Sequence, residues 1–463
     1  MFSPFRFLFL LLLTLLSEKS LGQPPKPDVI DSLVQTIKSG YAGYTDKAGD
    51  GVAFDRHVER VRAMGIRDTF ELMARIALFF QDQHLVMFDR MAAHPVDSTL
   101  CRSNLKNIQV LLKRPTDAIE GYWINDLNNC IVGIRKDGLR SYKGYVVESK
   151  TKALPGFPLM RFEQTGKDRF LTDFVQERMR FRLFLPATLQ ADSLLTIDPY
   201  GRWRKIPQYV SGTLERYTPF SFVNDMKMLD SHTLLIRLPS FGSKDVAAVD
   251  SLLGQYANQL DRINNWIIDL RNNSGGTISV YLPLLPYIAT DDIVHCAGFQ
   301  KVSKTMLVSL ATDVEEYRAA GDTVRWKLAV EEHNRLQSHM NELVYFTGDT
   351  LFKAGRVYSK PKNVAVIVNR RCLSAAELML LDLAQSAKVK IFGERTGGAV
   401  DYLDAVPVNF PNKSYFLFLA TTKRALTKIE PAFDRSGINP QVIIPEGTPD
   451  WVEYVKLYYE RKE

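Results

Sequence analysis

The chain has 463 residues with 46% hydrophobic and 24% charged content. That is too long for one hydrophobic core and too apolar for disorder, so two or three packed units are expected. The formal net charge of +7 is spread along the chain without the basic stripe that a nucleic-acid surface needs, which argues against nucleic acid as a partner.

The N-terminus has a basic residue, Arg6, then an apolar run from Phe7 to Leu16 broken only by Thr14, then small residues at Ser20 and Gly22. This reads as a signal peptide over residues 1–22, cut before Gln23. The alternative, a membrane anchor, is disfavoured because about 10 apolar residues cover only about half of a hydrocarbon layer roughly 30 Å thick. An exported mature protein, periplasmic or extracellular, is expected. Its four cysteines, Cys101, Cys130, Cys296 and Cys372, are too few for a disulfide framework. A Cys101–Cys130 bridge stays open. No CxxC or close Cys/His cluster suggests zinc, and His295 beside Cys296 reads as a packed pair, so neither metal nor cofactor is expected.

Residues 23–95 repeat apolar side chains at helical spacing, including Val29, Leu33 and Ile37, then Phe70, Met73 and Ile76. A helical unit ending on Gln83-His84 is expected. Residues 96–230 change to short alternating runs, among them the stretch from Ile108 to Leu112 and Tyr145-Val-Val, separated by Gly, Pro, Asp and Asn, which predicts a β-rich middle region. From 231 to 463 strand and helix alternate, with helices at Val246–Leu260 and Ala375–Ala384 and strands from Trp266 and Val364, which argues for an α/β core. A polar helical insertion is expected at about 305–345. A hairpin around Pro411, a strand at Val442 and a helix from Pro449 complete the chain.

Two segments carry candidate chemistry. In Ile267-Ile-Asp-Leu-Arg-Asn-Asn-Ser-Gly275-Gly276 a buried strand opens into a glycine loop, where backbone N–H groups can approach an anion. Taken alone, this is also an ordinary strand-to-helix turn. In Val366-Ile-Val-Asn-Arg-Arg-Cys-Leu-Ser374-Ala375-Ala376-Glu377 a serine stands at a helix start, beside the free N–H of Ala375 and in a field that favours negative charge. Ser-x-x-Glu is equally a capping box, so local text leaves nucleophile and cap both open. Cys372 reads as a small buried residue rather than a thiol nucleophile.

In this order, followed by Gly393-Glu-Arg-Thr-Gly-Gly398, the segments resemble the tail-specific (C-terminal-processing) protease family over about residues 230–446. The resemblance implies a crotonase-like α/β core of spiral βαβ units that cleaves peptide bonds in protein or peptide substrates. It makes Ser374 the nucleophile and gives oxyanion stabilisation to Gly275 or Gly276 and Ala375, with Glu377 supporting. Many members carry a PDZ module, which is not evident here. Many also use a lysine where this chain has Ala399. The tricorn-like branch instead takes a histidine from the N-terminal helices, which corresponds to His84, with Gln83 in the place of a relay serine. It also takes a late carboxylate, which corresponds to Asp434 with Glu430 as a nearby substitute. The expectation is a serine endopeptidase using Ser374, His84 and Asp434. The alternative is a peptide- or apolar-ligand-binding protein of the same fold, and acyl-CoA chemistry is a third, weaker reading.

Overall fold

The structure is a computed structural model that describes residues 28–90, 97–176, 181–411, 414–427 and 431–461. The expected signal peptide and Glu430 lie outside the described residues. Among the described residues no helix is long and apolar enough to cross a membrane.

The chain begins with helices α1 (Val29–Gly40), α2 (Tyr44–Ala48), α3 (Val52–Arg62) and α4 (Thr69–Ala77). Asp28 and Asp68 cap α1 and α4 by accepting N–H groups that have no partner in the first turn. The apolar stripes of these helices, with Leu33, Ile37, Phe54, Phe70 and Met73, share one core with Leu417 and Leu419 from the far end of the sequence. The unit does not end at His84. It continues as strand β1 (Leu85–Arg90), which pairs antiparallel with residues 415–419.

Helix α5 (Ser98–Leu111) occupies a stretch whose end was expected to be extended. The Ile108–Leu112 run reads as a strand by composition, but Cys101, Leu105, Ile108 and Leu112 recur at intervals of three and four. Helical spacing wins because that stripe buries Ile108 and Leu112 against Ile124, Ile131 and Tyr145. Cys101 and Cys130 are both buried and no disulfide joins them.

Strands β2 (Gly121–Asn125), β3 (Cys130–Lys136), β4 (Ser141–Ser149), β5 (Pro158–Gln164), β6 (Arg169–Gln176), β7 (Phe181–Gln190), β8 (Leu194–Ile197) and β9 (Gly201–Ile206) follow. They run antiparallel in the order β7-β6-β5-β4-β3-β2-β9-β8, and β8 returns to pair with β7. The sheet thus closes on itself. Alternate side chains, among them Trp123, Val132, Phe162, Leu183, Ile197 and Trp203, fill its core.

The remaining chain builds a six-stranded sheet and a two-stranded one, and adds four strands to the larger sheet. It contributes β10 (Asp225–Met228), β11 (Thr233–Arg237), α6 (Asp245–Tyr256), β12 (Asn265–Asp269) and α7 (Leu285–Ile288). Then come the short β13 (Ile293–Val294), β14 (Gly298–Lys301), the helical insertion α8 (Lys304–Ala319) and α9 (Thr323–Gln337), β15 (Leu343–Phe346) and β16 (Thr350–Phe352). The last elements are β17 (Asn363–Val368), α10 (Ala375–Leu383), β18 (Val389–Gly393), β19 (Tyr402–Asn409), β20 (Tyr415–Arg424), β21 (Val442–Ile443) and α11 (Trp451–Glu460). Strands β11, β12, β17, β18 and β21 are parallel and β10 is an antiparallel edge.

The central strands are covered on both faces, which is why they read as unbroken apolar runs. Leu234, Ile236, Trp266, Ile268, Val364 and Val366 pack toward α6 and α10, while Leu235, Ile267, Ala365 and Ile367 pack toward α11. Burying each of the Leu, Ile and Val side chains among them contributes about 1.5–3 kcal/mol. Their parallel order puts the loops after β12, β17 and β18 at one end of the sheet, where ligands bind in open α/β sheets. Hairpin β19–β20 leaves this sheet and pairs with β1, so it joins the first helices to that same end.

Candidate active site

The glycine loop after β12 is held open by its own asparagines. Asn272 takes a left-handed φ of 65°, which a short amide side chain tolerates, and exchanges hydrogen bonds with Asn369 in the loop after β17. Asn273 is fully buried. Its Nδ2 donates to the Leu238 carbonyl at 2.7 Å, its Oδ1 accepts the Gly275 N–H at 2.8 Å, and its carbonyl accepts the Leu373 N–H at 3.0 Å. This one residue ties the glycine loop to the residue before Ser374.

The loop does not turn directly into a regular helix. Short 3-10 turns at Ile278–Val280 and Leu282–Leu284 lead into the four-residue α7. Pro283 and Pro286 interrupt a regular helix there. Gly276, with φ of 138°, lies so close to Phe241 that a Cβ would stand 2.0 Å from its carbonyl oxygen.

Ser374 precedes α10 with φ of 56° and ψ of −125°. For a residue with a side chain this backbone costs about 1–3 kcal/mol, and such strain is found where surroundings impose it. The surroundings here are specific. A Cβ on Gly275 would lie 2.7 Å from the Ser374 Cβ and 3.0 Å from the Ala375 nitrogen, so the two loops are in contact only because position 275 has no side chain. The Ala375 N–H and the Gly276 N–H meet no acceptor among the described residues, whereas the Gly275 N–H is occupied by Asn273. Of the three expected oxyanion groups, Gly276 and Ala375 therefore keep free donors.

Glu377 is wholly buried. It accepts the Ser374 N–H at 3.1 Å, completing its half of a capping box, and also the Gly398 N–H at 2.9 Å, the Ala399 N–H at 2.7 Å and the Thr396 hydroxyl. Burial pushes its pKa up, while these four donors pull it back. Glu377 thus fastens the segment after β18 to the start of α10, and Ala399 sits against it with no basic side chain to offer. Cys372 is fully buried and its thiol donates to the Leu270 carbonyl at 3.0 Å. Burial pushes its pKa up to about 12, so a thiolate is not available there.

His84 stands between α4 and β1. Its backbone N–H donates to Asp82 Oδ1 at 2.8 Å, and its ring Nδ1 lies 2.6 Å from the Tyr402 carbonyl oxygen. A carbonyl only accepts, so Nδ1 carries a proton, and in the neutral ring Nε2 holds the lone pair. The neighbouring Gln83 reaches the Gly397 carbonyl at 2.8 Å, and the Gly397 N–H in turn donates to the Cys372 carbonyl at 3.0 Å.

Asp434, the late carboxylate expected to orient His84 or its relay, is engaged by Lys47 instead. The Tyr402 carbonyl occupies Nδ1, while the Asp434 carboxylate meets Lys47 Nζ at 2.7 Å. Burial raises the Asp434 pKa and the Lys47 ammonium opposes that rise. The backbone N–H groups of Phe433 and Asp434 both donate to Asp401 at 2.7 Å, and Asp401 is neutralised by the buried Arg424 at 2.6 Å. Residues 397–402 therefore touch Ser374 through Glu377, His84 through Tyr402 and Asp434 through Asp401.

Lys47, Asn273, Thr396 and Asp401 are not among the residues that the sequence singles out. Asn273 lies inside the Asp-Leu-Arg-Asn-Asn text and Thr396 inside Gly-Glu-Arg-Thr, so those two stand in recognised motifs. Lys47 and Asp401 have no local signal. Around the site, Arg202 pairs with Glu394 at 2.7 Å, Arg370 with Asp198 at 2.9 Å and Arg371 with Asp126 at 3.1 Å. These pairs join the closed β-sheet to the loops after β17 and β18. They are partly exposed, so each contributes about 1 kcal/mol or less.

No curated protein matches the chain. Among solved structures, a mutant of CPAF is similar with a TM-score of 0.50 at 14% identity, over 92% of this chain and 95% of that one, which shows a shared fold. Mature CPAF complexed with lactacystin gives a TM-score of 0.48 at 13% identity, over 94% and 97% of the two chains. A putative S41 protease from Bacteroides fragilis gives 0.43 at 12%, over 95% and 100%. The model of peptidase family S41 matches residues 232–444. That segment, with its mixed α/β fold and the loops that meet at Ser374, belongs to peptidase family S41, the tail-specific proteases, and is a serine-type peptidase domain.

Proposed function

We infer that this protein is an exported serine endopeptidase that hydrolyses peptide bonds in protein or peptide substrates, with Ser374 as nucleophile and His84 as general base. The stacked βαβ units of residues 231–463 are read as a crotonase-like spiral core. The observation that carries the reading is the contact of Gly275 with Ser374 and the Ala375 nitrogen, which sets a strained serine beside unengaged N–H groups. The engagement of His84 Nδ1 by Tyr402 supports the base role, because it leaves Nε2 as the proton acceptor.

In this mechanism Ser374 Oγ attacks the substrate carbonyl carbon as its proton passes to His84 Nε2. The resulting oxyanion accepts hydrogen bonds from the Ala375 and Gly276 N–H groups. Collapse breaks the C–N bond, and the leaving amine takes the proton from Nε2. Water then attacks the Ser374 ester by the same route and frees the acid. Glu377 accepts only from groups that shape the site, so it serves as a positioning residue.

A fluorophosphonate probe should label the purified mature protein at Ser374. Ser374→Ala should abolish both labelling and casein cleavage while the protein stays folded. A folded wild type that neither labels nor cleaves would replace this reading with ligand binding on the same fold.

A further inference from the structure

Behind His84 lies a group of polar side chains that no step above uses. Lys47, on α2, has a side chain only 13% exposed. Its Nζ is 2.7 Å from Asp434, 3.5 Å from Asp82, 3.2 Å from the Phe80 carbonyl and 4.8 Å from the centre of the Tyr402 ring. Asp82 is buried, accepts the Tyr41 hydroxyl, and with its other oxygen accepts the His84 N–H. The remaining charged groups here are otherwise engaged. Asp46 binds Lys423 at 2.8 Å and the Tyr402 hydroxyl at 3.1 Å, and the Arg435 guanidinium donates to the Gln81 carbonyl at 3.3 Å.

We propose that Lys47 is a positioning residue for the His84 base: it is the shared counter-ion of Asp82 and Asp434, and it locks the turn that carries His84 onto the strand that orients its ring. Without that ammonium, burial and the nearby Asp82 charge both push Asp434 toward its protonated form. The ion pairs that tie α2 to the 81–84 and 433–435 turns are lost with it, so the turn that carries His84 loses its anchor on α2. Lys47 is the side chain at which α2, the 81–84 turn and the 433–435 turn meet. The proposal rests on the reading of His84 as the base.

The experiment compares peptide hydrolysis by the full mature chain with that of Lys47→Met, Lys47→Gln and Lys47→Arg, as kcat and KM against pH. Lys47→Met should lower kcat by about tenfold, a part of what a general base supplies, with KM unchanged. Its acidic limb should move up by about one pH unit. Losing the ammonium acts in this direction, because Lys47 opposes the rise that burial gives Asp434, and without it that carboxyl holds its proton to higher pH. Lys47→Arg should restore most of kcat and the original limb.

A folded Lys47→Met with the wild-type pH profile, or with its whole loss in KM, would overturn the proposal. If Lys47→Met does not fold, the near-isosteric Lys47→Gln is decisive, since an unshifted limb there has the same meaning. Failure of the underlying reading looks different, because His84→Ala would then turn over substrate at the wild-type rate, and the proposal would fall with it.

Discussion

Gly275 and Ser374 touch across two loops that are almost 100 residues apart in the chain, and a single methyl group at 275 would end the contact. The glycine has φ of 91°, and a methyl carbon there would fall 2.9 Å from the Leu373 carbonyl oxygen and 2.7 Å from the Ser374 Cβ. Gly275→Ala should therefore both strain the loop, by about 1–3 kcal/mol, and push Ser374 away from the free donors. Fluorophosphonate labelling should fall by about 10²-fold, the scale of losing one oxyanion donor. Labelling at the wild-type rate would show that the contact does not shape the nucleophile.

Glu377 offers a stability test with a defined sign. Burial holds its pKa above the ordinary glutamate range, so the folded protein keeps this proton to higher pH than the unfolded chain does. The contribution of the group is most favourable below its unfolded pKa and declines as pH rises through the folded one. Glu377→Gln turns an amide donor toward four existing donors and should cost about 1–3 kcal/mol. Because the variant has no proton to lose, the gap between wild type and variant should shrink as pH rises from about 4.3. Urea midpoints across that range measure it, and a gap that widens would mean that the four hydrogen bonds outweigh burial.

His84→Ala removes the ring that the Tyr402 carbonyl orients at this end of the sheet. Turnover of a peptide substrate should drop by about 10²-fold or more, as loss of a general base does. Far-UV circular dichroism should stay unchanged, since the residue is only partly buried. Turnover at the wild-type rate would transfer the base role to another group.

Cys372, two residues before the nucleophile, should be chemically silent. With its pKa pushed up to about 12, it holds almost no thiolate at neutral pH. Alkylating reagents at pH of about 8, near the ordinary thiol pKa, should leave Cys372 unmodified by mass spectrometry in the folded protein. Cys372→Ala should keep Ser374 labelling while losing about 1 kcal/mol for the missing buried hydrogen bond. Loss of labelling in a folded Cys372→Ala would contradict a purely structural role.

Much of the core is legible because its strands carry their own signal. Trp266-Ile-Ile and Val364-Ala-Val-Ile-Val are apolar on both faces, so they read as buried strands flanked by helices, and they are. The Ile108–Leu112 run misleads because β-branched composition and helical spacing coexist in it, and only packing against Ile124 and Ile131 chooses between them. Nothing local marks closure of the middle sheet, since the pairing of β7 with β8 joins strands whose texts are no different from their neighbours'.

The sequence by itself determined that Ser374 stands at a helix start after a buried strand, that a glycine loop precedes it, and that no lysine is available at Ala399. These are local properties, set by period, by glycine and by the order of motifs. The tertiary structure alone decided which groups meet. It assigned the His84 ring to the Tyr402 carbonyl, the Asp434 carboxylate to Lys47, and the free donors to Gly276 and Ala375 rather than Gly275. Those pairings depend on how a hairpin from the end of the chain packs on helices from its beginning. That packing is governed by shape and burial between distant segments, which no short stretch of text encodes.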